Sequence, residues 1–168
     1  QKTKILIYAL GKYDGVMKFI TRSKYKRNTL LYYALEEKIL LFLEFYQILI
    51  NIDIILPIPK FSLSRIKHSF NPNEIIANII QKKYKIPIFY SLFTKKFKTQ
   101  QVTLSINERK SKDKDIFIIP ESQKIILKNK KILLIDDVYT TGATIEAARN
   151  ALKNISYESI TVFVLASS

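Results

Sequence analysis

Two adjacent carboxylates and the polar turn that follows them are the residues whose types and spacing could do chemistry. The acids are Asp136 and Asp137, and the turn consists of Thr140, Thr141, Gly142, Ala143 and Thr144. Glycine permits a close or left-handed backbone, and threonine hydroxyls and backbone N–H groups can bind an anion, typically phosphate. Adjacent acids would repel a phosphate, so they should face a vicinal diol or a hydrated divalent cation. A ribose 5-phosphate carries such a diol beside its phosphate.

Two secondary-structure elements must position this motif. The aliphatic run from Ile132 to Ile135 predicts a central parallel strand, buried on both faces and ending at the acids. The alanine-rich segment from Ile145 to Leu152 has apolar residues at helical spacing and predicts a helix. Ligands of open α/β sheets bind beyond the carboxyl ends of the strands, where such a helix offers unpaired N–H groups. The simpler alternative is a strand-turn-helix in which the aspartates only cap the helix.

The segment from Ile132 to Thr144 resembles the phosphoribosyl pyrophosphate (PRPP) signature of type I phosphoribosyltransferases. Within that superfamily the wider pattern resembles the ComF group, which is linked to bacterial competence and DNA uptake. The resemblance implies an α/β fold: a parallel twisted sheet with flanking helices, forming a Rossmann-like core over residues 51–168 with a small N-terminal hood over residues 1–50. It also implies that Asp136 and Asp137 hold the ribose hydroxyls and that the turn grips the 5-phosphate. Mg²⁺ would be held mostly by pyrophosphate oxygens and water, with few protein ligands.

Two further segments are predicted to meet the pyrophosphate. Asp53 to Lys60 predicts a buried strand ended by prolines, similar to the ComF strand whose exit contacts pyrophosphate. The basic segment from Lys95 to Arg109 resembles a ComF pattern and fits the mobile loop that closes over pyrophosphate. Lys60 and Arg109 are the candidate catalytic residues. Lys60 is the cation nearest to the strand exit, and the guanidinium geometry of Arg109 matches phosphate oxygens. The alternatives are that Lys60 is only an exposed surface lysine and that the basic segment is an ordinary surface loop.

One stretch departs from the ComF pattern. In the segment from His68 to Pro72, the family's Phe and Asn are kept as Phe70 and Asn71, whereas its Arg, Gly and Gln are not. His68 is the only histidine, and a loop residue is the better interpretation than a general base. Cysteine is absent, which excludes disulfides and thiolate metal sites. The cysteine-rich zinc segment with which ComF proteins usually begin is therefore expected to be missing from this chain or its lineage.

Composition places limits on the class of protein. A chain of 168 residues with 48% hydrophobic residues fits one folded domain, and a net charge of +14 favours polyanionic partners. The basic patch from Arg22 to Arg27 is either a solvated turn or a nucleic-acid contact. The most apolar window, Ile39 to Pro59, contains polar residues and two prolines, so a helix followed by a strand fits better than a membrane span. With no targeting peptide visible, we expect a soluble cytoplasmic protein.

The remaining segments predict strands alternating with helices, which is typical of a parallel α/β sheet. They are a strand from Thr3 to Leu10 ended by Gly11, a long helix from Asn28 with an apolar stripe from Leu30 to Leu49, a helix from Asn73 to Tyr84, and strands at Ile86–Tyr90, Ile116–Ile119 and Ser159–Ala166.

Two functions would use this site. The first is a ComF-like protein that binds PRPP with Mg²⁺ and handles single-stranded DNA during uptake, with DNA-uptake or recombination proteins as further partners. The second is a salvage phosphoribosyltransferase that moves ribose 5-phosphate from PRPP to a nitrogenous base. We favour the first, because the resemblance and the positive surface both agree with it. No base-recognition element or general base is visible in the sequence, so the motif predicts the ligand better than the reaction.

Overall fold

The computed structural model describes residues 5–15, 18–19, 30–59, 71–90, 92–94 and 117–168. Strands and helices largely alternate along these residues, as the sequence predicts, apart from one pair of successive helices and one pair of successive short strands. In chain order the elements are β1 (Leu6–Lys12), α1 (Leu30–Tyr33), α2 (Glu36–Phe45), β2 (Ile54–Pro57), α3 (Pro72–Tyr84), β3 (Phe93–Thr94), β4 (Phe117–Ile118), α4 (Glu121–Leu127), β5 (Lys131–Tyr139), α5 (Ala143–Leu152) and β6 (Ser159–Ser167).

The centre of the described fold is a parallel sheet with the strand order β1-β6-β5-β2. β5 lies between β6 and β2, and its aliphatic residues are fully buried, which confirms the predicted central strand. Ile88 adds one parallel bridge beside β2, through Ile55. β3 and β4 pair separately as a short antiparallel ladder. The predicted α/β class, a parallel sheet with flanking helices, is confirmed.

Apolar layers cover both faces of this sheet. Successive residues of a strand point to opposite faces, so Ile132 and Leu134 join one layer while Leu133 and Ile135 join the other. The first layer includes residues of α4 and α5, and the second includes residues of α2 and α3. Each fully buried Leu or Ile contributes about 1.5–3 kcal/mol relative to its exposed state. The two layers therefore hold β5 in a fixed position, together with the residues of β5 that follow Ile135.

The prediction of one long helix from Asn28 is wrong in the extent of that helix. Within the described residues the segment forms two helices, α1 and α2, separated at Ala34 and Leu35, and Asn28 itself lies outside those residues. Leu30 is 72% exposed and Tyr46 is 51% exposed, although both were assigned to the buried stripe, whereas Tyr32 is only 1% exposed. The break shifts the helical phase, so a single periodic stripe cannot describe both helices.

Several strand predictions also need correction. Gly11 does not end β1, because it pairs with Ala166 and the strand continues to Lys12. The segment Ile86–Tyr90 contributes only the single bridge at Ile88 rather than a strand. The strand predicted at Ile116–Ile119 is the short β4, which is antiparallel to β3. Helix α4 was not predicted.

The described residues include no helix with both the length and the apolar character needed to cross a bilayer. The division into a hood over residues 1–50 and a core over residues 51–168 stays a prediction, and so does the cytoplasmic location. β1 nevertheless pairs with β6.

Candidate functional site

The two carboxylates lie inside β5 rather than beyond its end. The sequence predicted that the strand stops at Ile135, but β5 continues through Asp136 and Asp137 to Tyr139. It continues because β6 still offers a parallel partner along this stretch, where Asp136 pairs with Val164. On the other side β2 ends at Pro57, which pairs with Ile135. The acids therefore lie just past the carboxyl end of β2, at the edge where ligands of parallel sheets bind.

Both acids are largely buried, with Asp136 at 7% and Asp137 at 8% exposure. Oδ1 of Asp136 accepts hydrogen bonds from Asn73 Nδ2 at 3.1 Å and from the backbone N–H of Asp137 at 2.9 Å. A buried carboxylate is costly unless it is hydrogen-bonded, and two donors on one oxygen also fix the orientation of the group. Asp136 is thus held in place before any ligand arrives.

The chain that leaves β2 is tied to the start of α3 at the same edge. The carbonyl oxygen of Ile58 accepts from Asn73 Nδ2 at 2.7 Å and from Asn71 Nδ2 at 3.4 Å. Asn71 is also the N-cap of α3, because its side chain accepts from the backbone N–H of Asn73 at 3.2 Å. The N–H of Ile58 donates to the carbonyl of Ile135 at 2.9 Å. Three separate segments therefore meet beside the acid pair.

Asn73 is the residue of this arrangement that sequence reasoning missed. It was treated only as the first residue of a helix, although the structure buries it to 2% exposure. The available signal was an asparagine two residues after the N-cap Asn71, ahead of an isoleucine-rich stretch of the helix, a position where a polar side chain must find a partner if it is buried.

The turn after β5 leads directly into α5. Thr140, Thr141, Ala143 and Thr144 are exposed, and Gly142 is half-buried with a left-handed φ of +77°. A Cβ on Gly142 would lie 2.9 Å from the hydroxyl of Tyr139, so both the backbone conformation and the space favour glycine. The turn therefore exposes three threonines at the start of α5, where the N–H of Ala143 donates to Thr141 Oγ1 at 3.4 Å, and an anion site would draw on such hydroxyl and N–H groups.

The alternative in which the aspartates merely cap the following helix is wrong. The N-cap of α5 is Gly142, which makes no side-chain capping hydrogen bond, and Asp136 and Asp137 lie earlier, within the strand. The acids therefore do not serve as helix caps.

The acid pair also decides how a metal could fit. The described part of the chain holds no group of three or more His, Cys, Asp or Glu side chains that could hold a metal ion. Carboxylate oxygens are hard ligands, so Asp136 and Asp137 are chemically suited to face either a sugar diol or a hydrated divalent cation that is held mainly by other ligands.

Several predicted functional residues lie outside the described residues. They are Lys60, Arg109, the rest of the segment from Lys95 to Arg109, His68 and the patch from Arg22 to Arg27. Of the predicted pyrophosphate loop, the described residues Pro57, Ile58 and Pro59 lie at the exit of β2, and Ile58 is linked to Asp136 through Asn73.

Comparison with known proteins identifies the class that this fold and this site define. Residues 45–168 match the family described as phosphoribosyl transferase domain, and the chain belongs to that family. The chain is also similar to Competence protein F of Haemophilus influenzae, with 25% identity over 115 residues that cover 68% of this chain and 50% of that protein. The chain thus spans about half the length of this curated relative. The predicted membership of the type I phosphoribosyltransferase superfamily, of the ComF type, is confirmed.

Two solved structures are also similar. A hypothetical protein from Neisseria gonorrhoeae with bound ppGpp matches with a TM-score of 0.42 and 16% identity, covering 99% of this chain and 73% of that chain. A purine phosphoribosyltransferase from Pyrococcus horikoshii Ot3 matches with a TM-score of 0.44 and 15% identity, covering 98% of this chain and 88% of that chain.

Proposed function

We propose that this protein binds PRPP, with Mg²⁺ on the pyrophosphate, at the carboxyl edge of the sheet. The observation that carries the proposal is the succession of a buried acid pair on β5 and an exposed hydroxyl-rich turn at the start of α5. In this proposal Asp136 and Asp137 accept hydrogen bonds from the ribose hydroxyls. The turn over residues 140–144 binds the 5-phosphate through N–H and hydroxyl groups.

The pyrophosphate would lie next to the segment that follows β2. Ile58 is anchored there because its N–H donates to the Ile135 carbonyl and its own carbonyl oxygen accepts from Asn73. Lys60 follows two residues later in the sequence. We propose that Lys60 and Arg109 neutralise the pyrophosphate oxygens. If PRPP is cleaved, they would stabilise the charge of the departing pyrophosphate, and preorganised contacts of this kind are typically worth several kcal/mol.

Replacement of Asp137 by asparagine tests the binding site. Asp137→Asn keeps the shape of the side chain but removes the negative charge from the group that is proposed to accept a hydrogen bond from a ribose hydroxyl. A hydrogen bond to a charged group contributes about 1.5–3 kcal/mol, so PRPP with Mg²⁺ should bind roughly 10- to 100-fold more weakly by calorimetry. The matched control is Glu146→Gln, which removes an exposed charge one turn into α5 whose carboxylate pairs with Arg149 at 2.9 Å. Equal affinities for wild type and Asp137→Asn would show that the site is misplaced.

We further propose that the protein acts in competence, as the name of its Haemophilus relative suggests, and that it handles single-stranded DNA there. The net charge of +14 supports this proposal, because a positive surface attracts the phosphate backbone regardless of sequence. The affinity for a single-stranded oligonucleotide should fall steeply between low and moderate salt, since each neutralised phosphate releases counterions. An affinity that stays flat over that range would contradict the proposal.

The alternative function is base salvage, in which ribose 5-phosphate moves from PRPP to a nitrogenous base. The family match favours it, because the family is described as a transferase domain. The two functions separate in one assay, in which the protein is incubated with PRPP, Mg²⁺ and a panel of bases while pyrophosphate release is followed. Release that depends on one base favours salvage. Release with none of them favours a binding role.

A further inference from the structure

We propose that Asn73 is a positioning residue that holds Asp136 and the exit of β2 at a fixed distance, so that both can meet one PRPP molecule. The inference rests on the PRPP site proposed above and goes beyond it, because Asn73 is not expected to touch the ligand. It would act through the two groups that it binds.

The hydrogen bonds of Asn73 form a fork between two segments of the site. One amide nitrogen, Nδ2, donates to the carbonyl oxygen of Ile58 at 2.7 Å and to Asp136 Oδ1 at 3.1 Å. Both partners are acceptors, since a carbonyl oxygen and a carboxylate oxygen carry no proton at neutral pH. The amide therefore has to present its NH₂ group to them, and the orientation of this side chain follows from the chemistry of its neighbours.

Burial makes this fork rigid. Asn73 is 2% exposed and Ile58 is 1% exposed, so water does not compete freely for either group. Asn73 also lies in the first turn of α3, whose residues Ile76, Ile79 and Ile80 are buried in the same layer as Leu133 and Ile135 of β5. The packing of α3 against the sheet thus sets the position of Asn73, and Asn73 transmits that position to the site.

The two groups that Asn73 binds belong to segments that would contact different parts of the proposed ligand. Asp136 would meet the ribose hydroxyls, whereas the chain after Ile58 leads to the residues proposed for the pyrophosphate. PRPP must reach both at once, so its affinity depends on their separation. Without Asn73, Asp136 Oδ1 would keep the hydrogen bond from Asp137, and Ile58 would keep the longer one from Asn71 at 3.4 Å. Neither of those contacts joins the carboxylate of Asp136 to the chain after β2, so the two segments would be linked there through the backbone hydrogen bond from Ile58 to Ile135, which does not orient the carboxylate.

A double-mutant cycle tests the inference. Asn73→Leu removes the donors and keeps the branched shape of the side chain, and Asp136→Asn alters the partner through which Asn73 is expected to act. Asn73→Leu alone should weaken the binding of PRPP with Mg²⁺ by about tenfold in calorimetry, the order expected for one buried charged hydrogen bond. In the Asp136→Asn background the same change should weaken binding by less than about threefold, because interacting residues are not additive.

A ligand comparison supplies a second readout that general loosening of the fold would not move. Wild type should prefer ribose 5-phosphate over 2-deoxyribose 5-phosphate, because the second ligand lacks one hydroxyl of the diol. Asn73→Leu should reduce that preference, since it disturbs the acid that reads the diol. The control is Asn71→Ser, which keeps a capping hydroxyl for α3 and removes the other amide on Ile58. It should leave the preference unchanged.

The outcomes separate the two proposals. If wild type does not bind PRPP, the proposed function fails and this inference fails with it. If wild type binds PRPP and Asp136→Asn weakens binding, but Asn73→Leu has no effect or an equal effect in both backgrounds, only the role of Asn73 is overturned. A thermal melt checks each variant for folding. Should Asn73→Leu fail to fold, Asn73→Ala takes its place in the same cycle, because it removes the same donors without adding bulk at the buried position.

Discussion

Two carboxylate oxygens of this protein each accept two hydrogen bonds, in opposite surroundings. Asp136 Oδ1 at the carboxyl edge of the sheet accepts from Asn73 and from the backbone of Asp137. Glu44 Oε1 on α2 accepts from Lys83 Nζ at 2.6 Å and from the Tyr84 hydroxyl at 2.8 Å, both on α3. Asp136 is 7% exposed, whereas the side chain of Glu44 is 45% exposed. Each oxygen accepts from two donors, but the donors of Glu44 include a charged ammonium group, and water reaches Glu44 far more easily.

That difference decides what the hydrogen bonds can do. At the surface, water and salt compete with Lys83, so the cluster around Glu44 contributes little to stability. The pKa of Glu44 is lowered, chiefly by its hydrogen bond to Lys83 and then by that to Tyr84, and the pKa of Lys83 is raised by the same contact. At the buried edge nothing replaces a lost partner, so the hydrogen bonds of Asp136 set its geometry. Precise placement is therefore available at the sheet edge and not on α2.

The largest expected effect is that of Asn73→Asp, which would break the buried arrangement. The substitution keeps the shape but places a carboxylate oxygen against the Ile58 carbonyl and against Asp136. An uncompensated buried charge costs about 3–5 kcal/mol, and chemical denaturation at neutral pH should show a loss of that order. The loss should shrink at lower pH, because protonation of the new carboxyl removes its charge.

The control for this variant is Asn78→Asp, the same change at an exposed position of the same helix. It should leave the free energy of unfolding nearly unchanged. Equal losses at the two positions would mean that burial does not distinguish the sheet edge from the surface.

An intermediate effect is expected for Gly142→Ala in the phosphate turn. A left-handed φ costs a residue with a Cβ about 1–2 kcal/mol, and here the Cβ would also lie 2.9 Å from the Tyr139 hydroxyl. The free energy of unfolding should fall by roughly that amount, and PRPP affinity should fall with it as the turn adjusts.

Gly15→Ala is the matched control for the turn, because a Cβ on Gly15 would meet nothing within 4 Å. It should be close to neutral in both measurements. Adding Tyr139→Phe to Gly142→Ala should recover only part of the loss, since it removes the closest contact but leaves the backbone strain. Full recovery would assign the whole effect to the contact.

The smallest effect is expected for Glu44→Gln on the exposed cluster. It should lower the melting temperature slightly at low salt, and the difference should vanish at high salt because exposed charges are screened. The folded pKa of Glu44 is lowered, so its stabilising contribution is present above the ordinary glutamate pKa of about 4.3 and is lost as the pH falls through the lower folded value.

Glu37→Gln, at another exposed glutamate of α2, is the control. A salt-independent loss for Glu44→Gln as large as that of Gly142→Ala would overturn the view that this cluster is worth little.

Much of the fold could be predicted because it depends on local patterns. The aliphatic run from Ile132 to Ile135 is that of a strand buried on both faces, and the helical spacing after Gly142 indicated α5 correctly to within two residues. Predictions failed where a distant partner decides the outcome. β5 runs past its aliphatic part because β6 pairs with it as far as Tyr139, and β1 runs through Gly11 for the same reason.

By itself the sequence determined the order of strand, acid pair, turn and helix, because burial pattern, glycine and hydroxyl spacing act over a few residues. The resemblance of this segment to the PRPP signature also led to the ligand that we propose. Only the tertiary structure decided how Asp136 is held, since its partner Asn73 lies 63 positions earlier in the chain. That hydrogen bond exists because α3 packs across β5 and brings its first turn to the sheet edge, which no local pattern around either residue specifies.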